Sequence, residues 1–212
     1  MQTDLESTDD LVQRAARGEE GALAELFDGY RGRLRRMVKL RLDRRLQGRV
    51  DPSDVLQDAY LDLSRKLEEY TARPAVPFFL WLRLVVGERL LRVHRQHLGA
   101  AMRDAEREIS LNQGGMPQAS SASLAAQLLG RFTSASRAVA RAEQQQQLQD
   151  ALNEMDAIDR EVIALRHFEE LSNDEVATVL GLTKGAASKR YVRAMLRLKA
   201  RIGDLPGFAD GR

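Results

Sequence analysis

Residues 172–202 read SNDEVATVLGLTKGAASKRYVRAMLRLKARI, the most informative segment of the chain. Ser172-Asn173-Asp174-Glu175 has the spacing of a capping box, a serine to cap a helix and a glutamate three residues on to reach back. A short helix should follow, with Val176, Ala177, Val179 and Leu180 directed inward. Gly181 stands where the end of that helix needs a left-handed residue. Leu182 can plug the turn and Thr183 can cap a second helix. This second helix is expected to bury Ala187, Tyr191, Ala194, Met195, Leu198 and Ile202. Its other face would show Lys184, Ser188, Lys189, Arg190, Arg193 and Arg197. Ala177 and Gly181 are small where two helices must cross closely. The pattern is that of a helix-turn-helix, whose second helix enters a major groove about 12 Å wide. Ser188 and Lys189 are placed to reach base edges; Arg190, Arg193 and Arg197 could hold phosphates or guanines. A basic helix on an ordinary helical bundle would share the charge, but it would need neither the capping box nor the glycine turn.

Upstream the period is also helical. Leu11, Ala15, Leu23, Leu26 and Phe27 fit one face of a helix, or of a helix pair broken near Gly18 to Gly21. Val55, Ala59, Leu63, Leu67 and Tyr70 recur at three- and four-residue spacings. Asp51-Pro52-Ser53-Asp54 opens that helix well: Asp51 can cap, proline suits the first turn, and acids favour the positive end of the dipole. Phe78, Phe79, Leu82, Val85, Val86, Leu90 and Val93 make a third face. No alternating run is long enough for a strand, so the expected class is all-α. SLNQGGMPQASSAS, residues 110–123, is uncharged and rich in serine with two Gly and one Pro, the composition of a flexible linker. Residues 124–141 could add a loose helix with a weak apolar face, and periodicity returns with Leu148, Leu152, Met155, Ile158, Val162, Ile163 and Leu165. The division expected is a domain at 8–107, a linker at 108–141 and a smaller domain at 142–204.

The chain has 212 residues, enough for one or two domains with real cores. Its 33 Lys and Arg nearly balance 31 Asp and Glu, which excludes a uniformly basic tail protein but leaves room for separated patches. Zero Cys excludes a disulfide framework, a thiolate zinc finger and a cysteine nucleophile, and fits a reducing compartment. The N-terminus MQTDLESTDD is acidic, unlike a secretory signal, and the longest apolar stretch, Pro74 to Leu82, falls well short of the roughly 20 residues a bilayer requires. The expectation is a cytoplasmic protein with no membrane insertion.

Charge is sorted by segment. Residues 31–49 carry nine bases and one acid, 51–69 six acids and two bases, 143–175 ten acids and two bases, and 184–201 seven bases and no acid. Any one block could be a solvated helix face. The last is harder to dismiss because a capped helix and turn stand immediately before it.

A helix-turn-helix alone would serve a repressor, a response-regulator output domain or a polymerase specificity subunit. The segment Asp51-Pro52-Ser53-Asp54-Val55-Leu56-Gln57-Asp58-Ala59-Tyr60, followed by Phe79-Leu80-Trp81-Leu82, resembles conserved region 2 of bacterial sigma factors, and Leu171 to Leu198 resembles sigma region 4. Only these two regions, joined by a short linker, are evident, which resembles the extracytoplasmic-function (ECF) group of the sigma-70 family. The similarity covers about Leu11 to His97 and Glu143 to Ile202. His94-Arg95-Gln96-His97-Leu98 and Ala187-Ser188-Lys189-Arg190-Tyr191 resemble ECF variants abundant in planctomycetes.

The resemblance implies a non-catalytic subunit of RNA polymerase, monomeric when free. It would dock on the β′ clamp helices and β flap of the core enzyme, recognise the −35 element through its second domain, and bind and melt the −10 element through its first. The polymerase contact would fall on Asp51, Asp54, Gln57, Asp58 and Leu61, where an acidic rim around apolar residues suits a basic coiled coil. Loop 71–77, with Arg73, aligns with the base-capturing loop of the family, and Trp81 with its aromatic position; Arg83, Arg89, Arg92 and Arg95 would track the DNA backbone. Trp81, between Leu80 and Leu82, could equally be a core aromatic. Glu88 and Arg92 stand where many relatives have Asn and Asp, so base preference at −10 does not transfer. Ser53 replaces an acid of the common motif and is a candidate phosphosite: a kinase would restore negative charge at a helix start, although serine there also serves as a plain first-turn residue. His94 and His97 form an H-x-x-H pair with no third ligand spaced with it, and Arg95 between them repels cations, so packing or DNA contact is expected and no metal or cofactor. An anti-sigma partner is a family expectation.

The rival binding-module reading is a free-standing regulator with twofold half-sites, which would bind DNA tightly without polymerase. An enzyme is disfavoured: there is no Gly-rich phosphate loop, no Ser-His-Asp or Cys-His set and no metal cluster.

Overall fold

The structure is a computed structural model that describes residues 3–19, 21–99, 116–132 and 138–203, with side chains for 8–19, 21–99, 116–129 and 142–203. Regular structure among the described residues is helical, apart from one isolated bridge between Gln47 and Val50. Two compact units are formed, residues 1–117 and 118–212.

The N-terminal unit contains α1 (Thr3–Ala16), α2 (Ala22–Arg41), a 3-10 turn (Arg44–Leu46), α3 (Pro52–Ala72) and α4 (Phe78–Leu98). The break between α1 and α2 falls where the glycines indicated: Gly18 and Gly21 both have positive φ, at 79° and 93°. Asp51 caps α3 as its spacing indicated, its Oδ1 accepting the Ser53 N–H at 2.7 Å, with Pro52 in the first turn. The predicted stripe on α3 is the buried one: Val55, Ala59, Leu63, Leu67 and Tyr70. It packs on α4, which buries Leu82, Val86 and Leu90, and both helices rest on α2, which buries Leu34, Met37 and Val38. Arg41, at the end of α2, is buried, and its Nη1 donates to the Pro117 carbonyl at 2.6 Å. Beside it in sequence, Met116 covers Gly87 so closely that a Cβ there would overlap the thioether.

The C-terminal unit contains α5 (Ser121–Phe132), α6 (Ala138–Asn153), α7 (Ala157–Ile163), α8 (Asn173–Leu180) and α9 (Lys184–Gly203); a π-helical turn, Ala164–Phe168, continues α7. Leu148, Leu152, Val162, Ile163, Leu165, Phe168, Leu171, Val176 and Leu198 make its core. Arg160 holds the end of α6, donating to the Leu152 and Met155 carbonyls at 3.1 and 2.5 Å, which a helix C-terminus otherwise leaves unsatisfied.

The uncharged segment differs from its composition. Of the expected linker, residues 108–115 and 133–137 lie outside the described residues, as do 100–107 of the expected first domain. Met116 and Pro117 are fixed to the N-terminal unit, and α5 begins at Ser121 inside the serine-rich stretch. Leu124, Ala125, Leu128 and Leu129 are buried and α5 lies along α6, a firmer apolar face than the many serines and alanines suggested.

Candidate nucleic-acid and polymerase interfaces

The helix-turn-helix is built as its residues dictate. Ser172 Oγ accepts the Glu175 N–H at 3.2 Å and Glu175 Oε2 accepts the Ser172 N–H at 2.6 Å, closing the capping box. Gly181 ends α8 at φ 63°, ψ 33°, and the Leu182 N–H returns to the Ala177 carbonyl at 2.9 Å, so the turn is sealed by backbone hydrogen bonds. Thr183 Oγ1 accepts the Ala186 N–H at 3.2 Å, starting α9. On α9, Ala187, Ala194 and Leu198 are buried, whereas Tyr191, Met195 and Ile202 are half-buried. Tyr191 is backed by the Arg166 guanidinium, 5.4 Å from its ring centre.

The six basic or polar residues assigned to DNA divide into two sets. Arg190 and Arg197 do not present free cations: both turn to the buried carboxylate of Asp159 on α7, donating at 2.8 and 2.9 Å. Asp159 is 3% exposed, so its charge needs these partners, and the pair clamps α9 onto α7. Lys184 forms an exposed ion pair with Asp174 at 2.8 Å. Lys189 and Arg193 are exposed, Ser188 is half-buried, and the exposed apolar residues Val192 and Leu196 lie on the same helix. The clamp was missed because Asp159 sits among ten acids that read together as one solvated block.

On the N-terminal unit the corrections are larger. Arg83 is 2% exposed and cannot lie along a DNA backbone as placed. Arg89 pairs with Asp58, Arg92 Nη1 donates to Asp62 at 3.0 Å, and Lys66 Nζ donates to Glu88 at 2.5 Å. Three ion pairs thus ladder α3 to α4, and Glu88 and Arg92, the two departures from the family pattern, both belong to it. Arg73 and Arg95 are exposed. Asp58 is half-buried in the ladder, whereas Asp51, Asp54, Gln57 and Leu61 are exposed on α3, Leu61 at 55%. The Ser53 amide holds the Asp51 carboxyl below its usual range. Ser53 itself is half-buried.

Trp81 is both packed and partly open. Its ring stacks on Tyr70 with centroids 4.6 Å apart and planes at 27°, Phe78 stands 5.6 Å away, and the side chain stays half-exposed. His94 is buried, and its Nε2 accepts the Asp43 backbone N–H at 3.2 Å; His97 is exposed. Burial holds the His94 imidazole below the usual histidine value; the Asp43 carboxylate partly offsets this and the Arg45 guanidinium adds to it. Among the described residues no three His, Asp or Glu stand together as a metal site, and no helix is long and apolar enough to cross a membrane.

Residues 145–198, from late α6 through α9, match the family model of sigma-70, region 4. The likeness to the sigma-70 family rests on this region 4 match. No curated protein sequence matches the chain. Among solved structures, CnrH in complex with the cytosolic domain of CnrY is similar at 24% identity and a TM-score of 0.51, covering 90% of this chain and 93% of that one; the likeness is one of fold. The sigma factor RpoE of Bartonella quintana, in complex with the anti-sigma factor NepR, is 18% identical with a TM-score of 0.44, covering 85% of this chain and 96% of that one. Both α8 and the greater part of α9 fall within the residues matched to region 4.

Proposed function

We propose that the protein is an ECF-type sigma factor that joins core RNA polymerase, selects promoters by −35 and −10 recognition, and helps to open the −10 element. The observation that carries this reading is α9: a helix matched to region 4 whose inner arginines are consumed by Asp159, leaving Lys189 and Arg193 exposed beside Ser188. Division of labour between clamp and reader is what a recognition helix needs, because a side chain can read a base edge only if it is not already tied down.

The docking surface on core polymerase is Asp51, Asp54, Gln57 and Leu61 of α3, opposite the β′ clamp helices, with the C-terminal unit on the β flap. Exposed acids govern encounter, and Leu61 supplies an apolar contact without which charge alone gives little lifetime. The −10 contacts reduce to loop 73–77 with Arg73, since Thr71 and Ala72 belong to α3, to Trp81, and to Arg95 near the end of α4. The protein works in the cytoplasm as a monomer until it meets polymerase. CnrH and RpoE, solved with CnrY and an anti-sigma factor respectively, are the reason to include an anti-sigma partner. Ser53 is the position at which a kinase would act on polymerase docking; equal core binding by Ser53→Ala and Ser53→Glu would dismiss that role.

Reconstitution with core polymerase on a promoter-fragment library is the test. Selective initiation from a small set of starts, and weak promoter binding by the free chain, are expected. Failure to co-purify with core enzyme, or tight twofold DNA binding without it, would favour a free-standing regulator.

A further inference from the structure

Tyr70 occupies the last turn of α3 and is 9% exposed. Three contacts meet on it. Its ring stacks against Trp81 at 4.6 Å and 27°, and it meets Phe78 edge-on at 5.6 Å and 66°. Its hydroxyl donates to the Val76 carbonyl at 3.2 Å, across the loop that joins α3 to α4. That loop holds Pro74 and Pro77, which have no N–H, so it has few backbone donors with which to fix its own shape. At its start the Arg73 N–H returns to the Glu69 and Tyr70 carbonyls, and at its end the Pro77 carbonyl accepts from Leu80 and Trp81. Tyr70 reaches the middle. A tyrosine is suited to this because a buried ring leaves its hydroxyl to find one partner. Burial also pushes the Tyr70 hydroxyl above its usual pKa, so it remains protonated and able to donate.

We infer that Tyr70 is the positioning residue for −10 strand capture, setting the shape of loop 73–77 through the Val76 carbonyl and the plane of Trp81 through ring stacking. The inference rests on the −10 role proposed above for that loop and for Trp81. An unstacked base gains from an aromatic platform only if the platform and the loop beside it are already in place, since ordering them at the moment of capture subtracts from the interaction. Tyr70 acts through Val76 and Trp81 and has no need to touch DNA.

The test compares holoenzymes carrying the wild-type chain, Tyr70→Phe, Trp81→Ala and Arg73→Ala on one selected promoter. Tyr70→Phe keeps the ring and deletes the hydroxyl. It is expected to bind core polymerase and closed promoter as the wild type does and to stay folded, losing no more stability than one hydrogen bond supplies. Strand opening, read by permanganate reactivity of unpaired thymines, should slow about fivefold, the worth of one hydrogen bond. Trp81 is the only tryptophan of the chain, so its emission reports the stack directly: it should be unchanged in Tyr70→Phe and shifted to the red in Tyr70→Leu. Opening at the wild-type rate in Tyr70→Phe, with Trp81→Ala or Arg73→Ala slow, overturns the inference and leaves the −10 reading standing. Lost core binding or gross unfolding of Tyr70→Phe also overturns it, because the residue would then be merely structural. A wild-type holoenzyme that opens no promoter, or full-rate opening by both Trp81→Ala and Arg73→Ala, removes the −10 reading and the inference together.

Discussion

The arginines of α4 and those of α9 look alike in sequence, yet the two helices use them differently. On α4, Arg89 and Arg92 meet Asp58 and Asp62 across the α3–α4 seam, in pairs that are partly open to water. On α9, Arg190 and Arg197 converge on Asp159, a single carboxylate almost removed from solvent. The same chemistry therefore has different consequences. A solvated ion pair contributes little, because water competes and two long side chains must be ordered. A buried carboxylate stripped of its partners leaves an uncompensated charge, whose cost is far larger than the pair's net worth.

The largest effect expected from this contrast is at Asp159. Asp159→Asn keeps the volume and removes the charge, and should destabilise the C-terminal unit by about 2 kcal/mol, less than the 3–5 kcal/mol of a fully buried pair because the arginines are half in water. Denaturant unfolding of the full chain would measure it, and an unchanged midpoint would show that the clamp is incidental.

Next in size is the separation of readers from clamps on α9. Lys189→Ala and Arg193→Ala should each weaken −35 recognition by about 1–3 kcal/mol where a base edge is read, with stability unchanged. Arg190→Ala should do the reverse, lowering stability first. Holoenzyme binding on −35 variants, run beside thermal melts, sorts the two classes; if all three variants lose DNA and stability together, the division is wrong.

A milder effect belongs to His94 in the N-terminal unit. Its folded pKa lies below 6.5, so below pH 6.5 the unfolded chain takes up a proton that the folded chain resists. Stability from this group is complete above pH 6.5 and declines as pH falls toward the folded value, by no more than about 1.4 kcal/mol per pH unit for one proton. His94→Gln should flatten that slope in melts followed between mildly acid and neutral pH.

The smallest effect is in the ladder. Arg92→Ala should cost no more than about 0.5 kcal/mol, which is the point of the comparison with Asp159. A loss of several kcal/mol would mean that the α3–α4 seam is drier than the exposure of Arg92 indicates.

Much of the architecture is legible in the sequence. The capping box at Ser172, the glycine at 181, the cap at Asp51 and the stripe from Val55 to Tyr70 are all where spacing put them, because caps and helical faces are local and need only a few neighbouring residues. The uncharged stretch was less legible. Serine and glycine content spoke for a linker, yet a helix begins inside it at Ser121, and the leucines just beyond, Leu124, Leu128 and Leu129, which read as a weak face, are buried where α5 lies along α6.

Sequence alone determined that the chain is all-helical, that a helix-turn-helix stands near its end, and which helix carries an acidic rim. Periodicity, caps and turns are encoded within a few residues, and composition separates the charge. Only the tertiary structure decided which cations are free. Whether an arginine faces solvent or a carboxylate depends on partners about 30 residues away, Asp159 for Arg190 and Asp58 for Arg89, and pairing over that distance is set by how helices cross. The same reason explains Tyr70: it reads as one more core aromatic in the stripe of α3, and only the fold brings its hydroxyl to the Val76 carbonyl and its ring under Trp81.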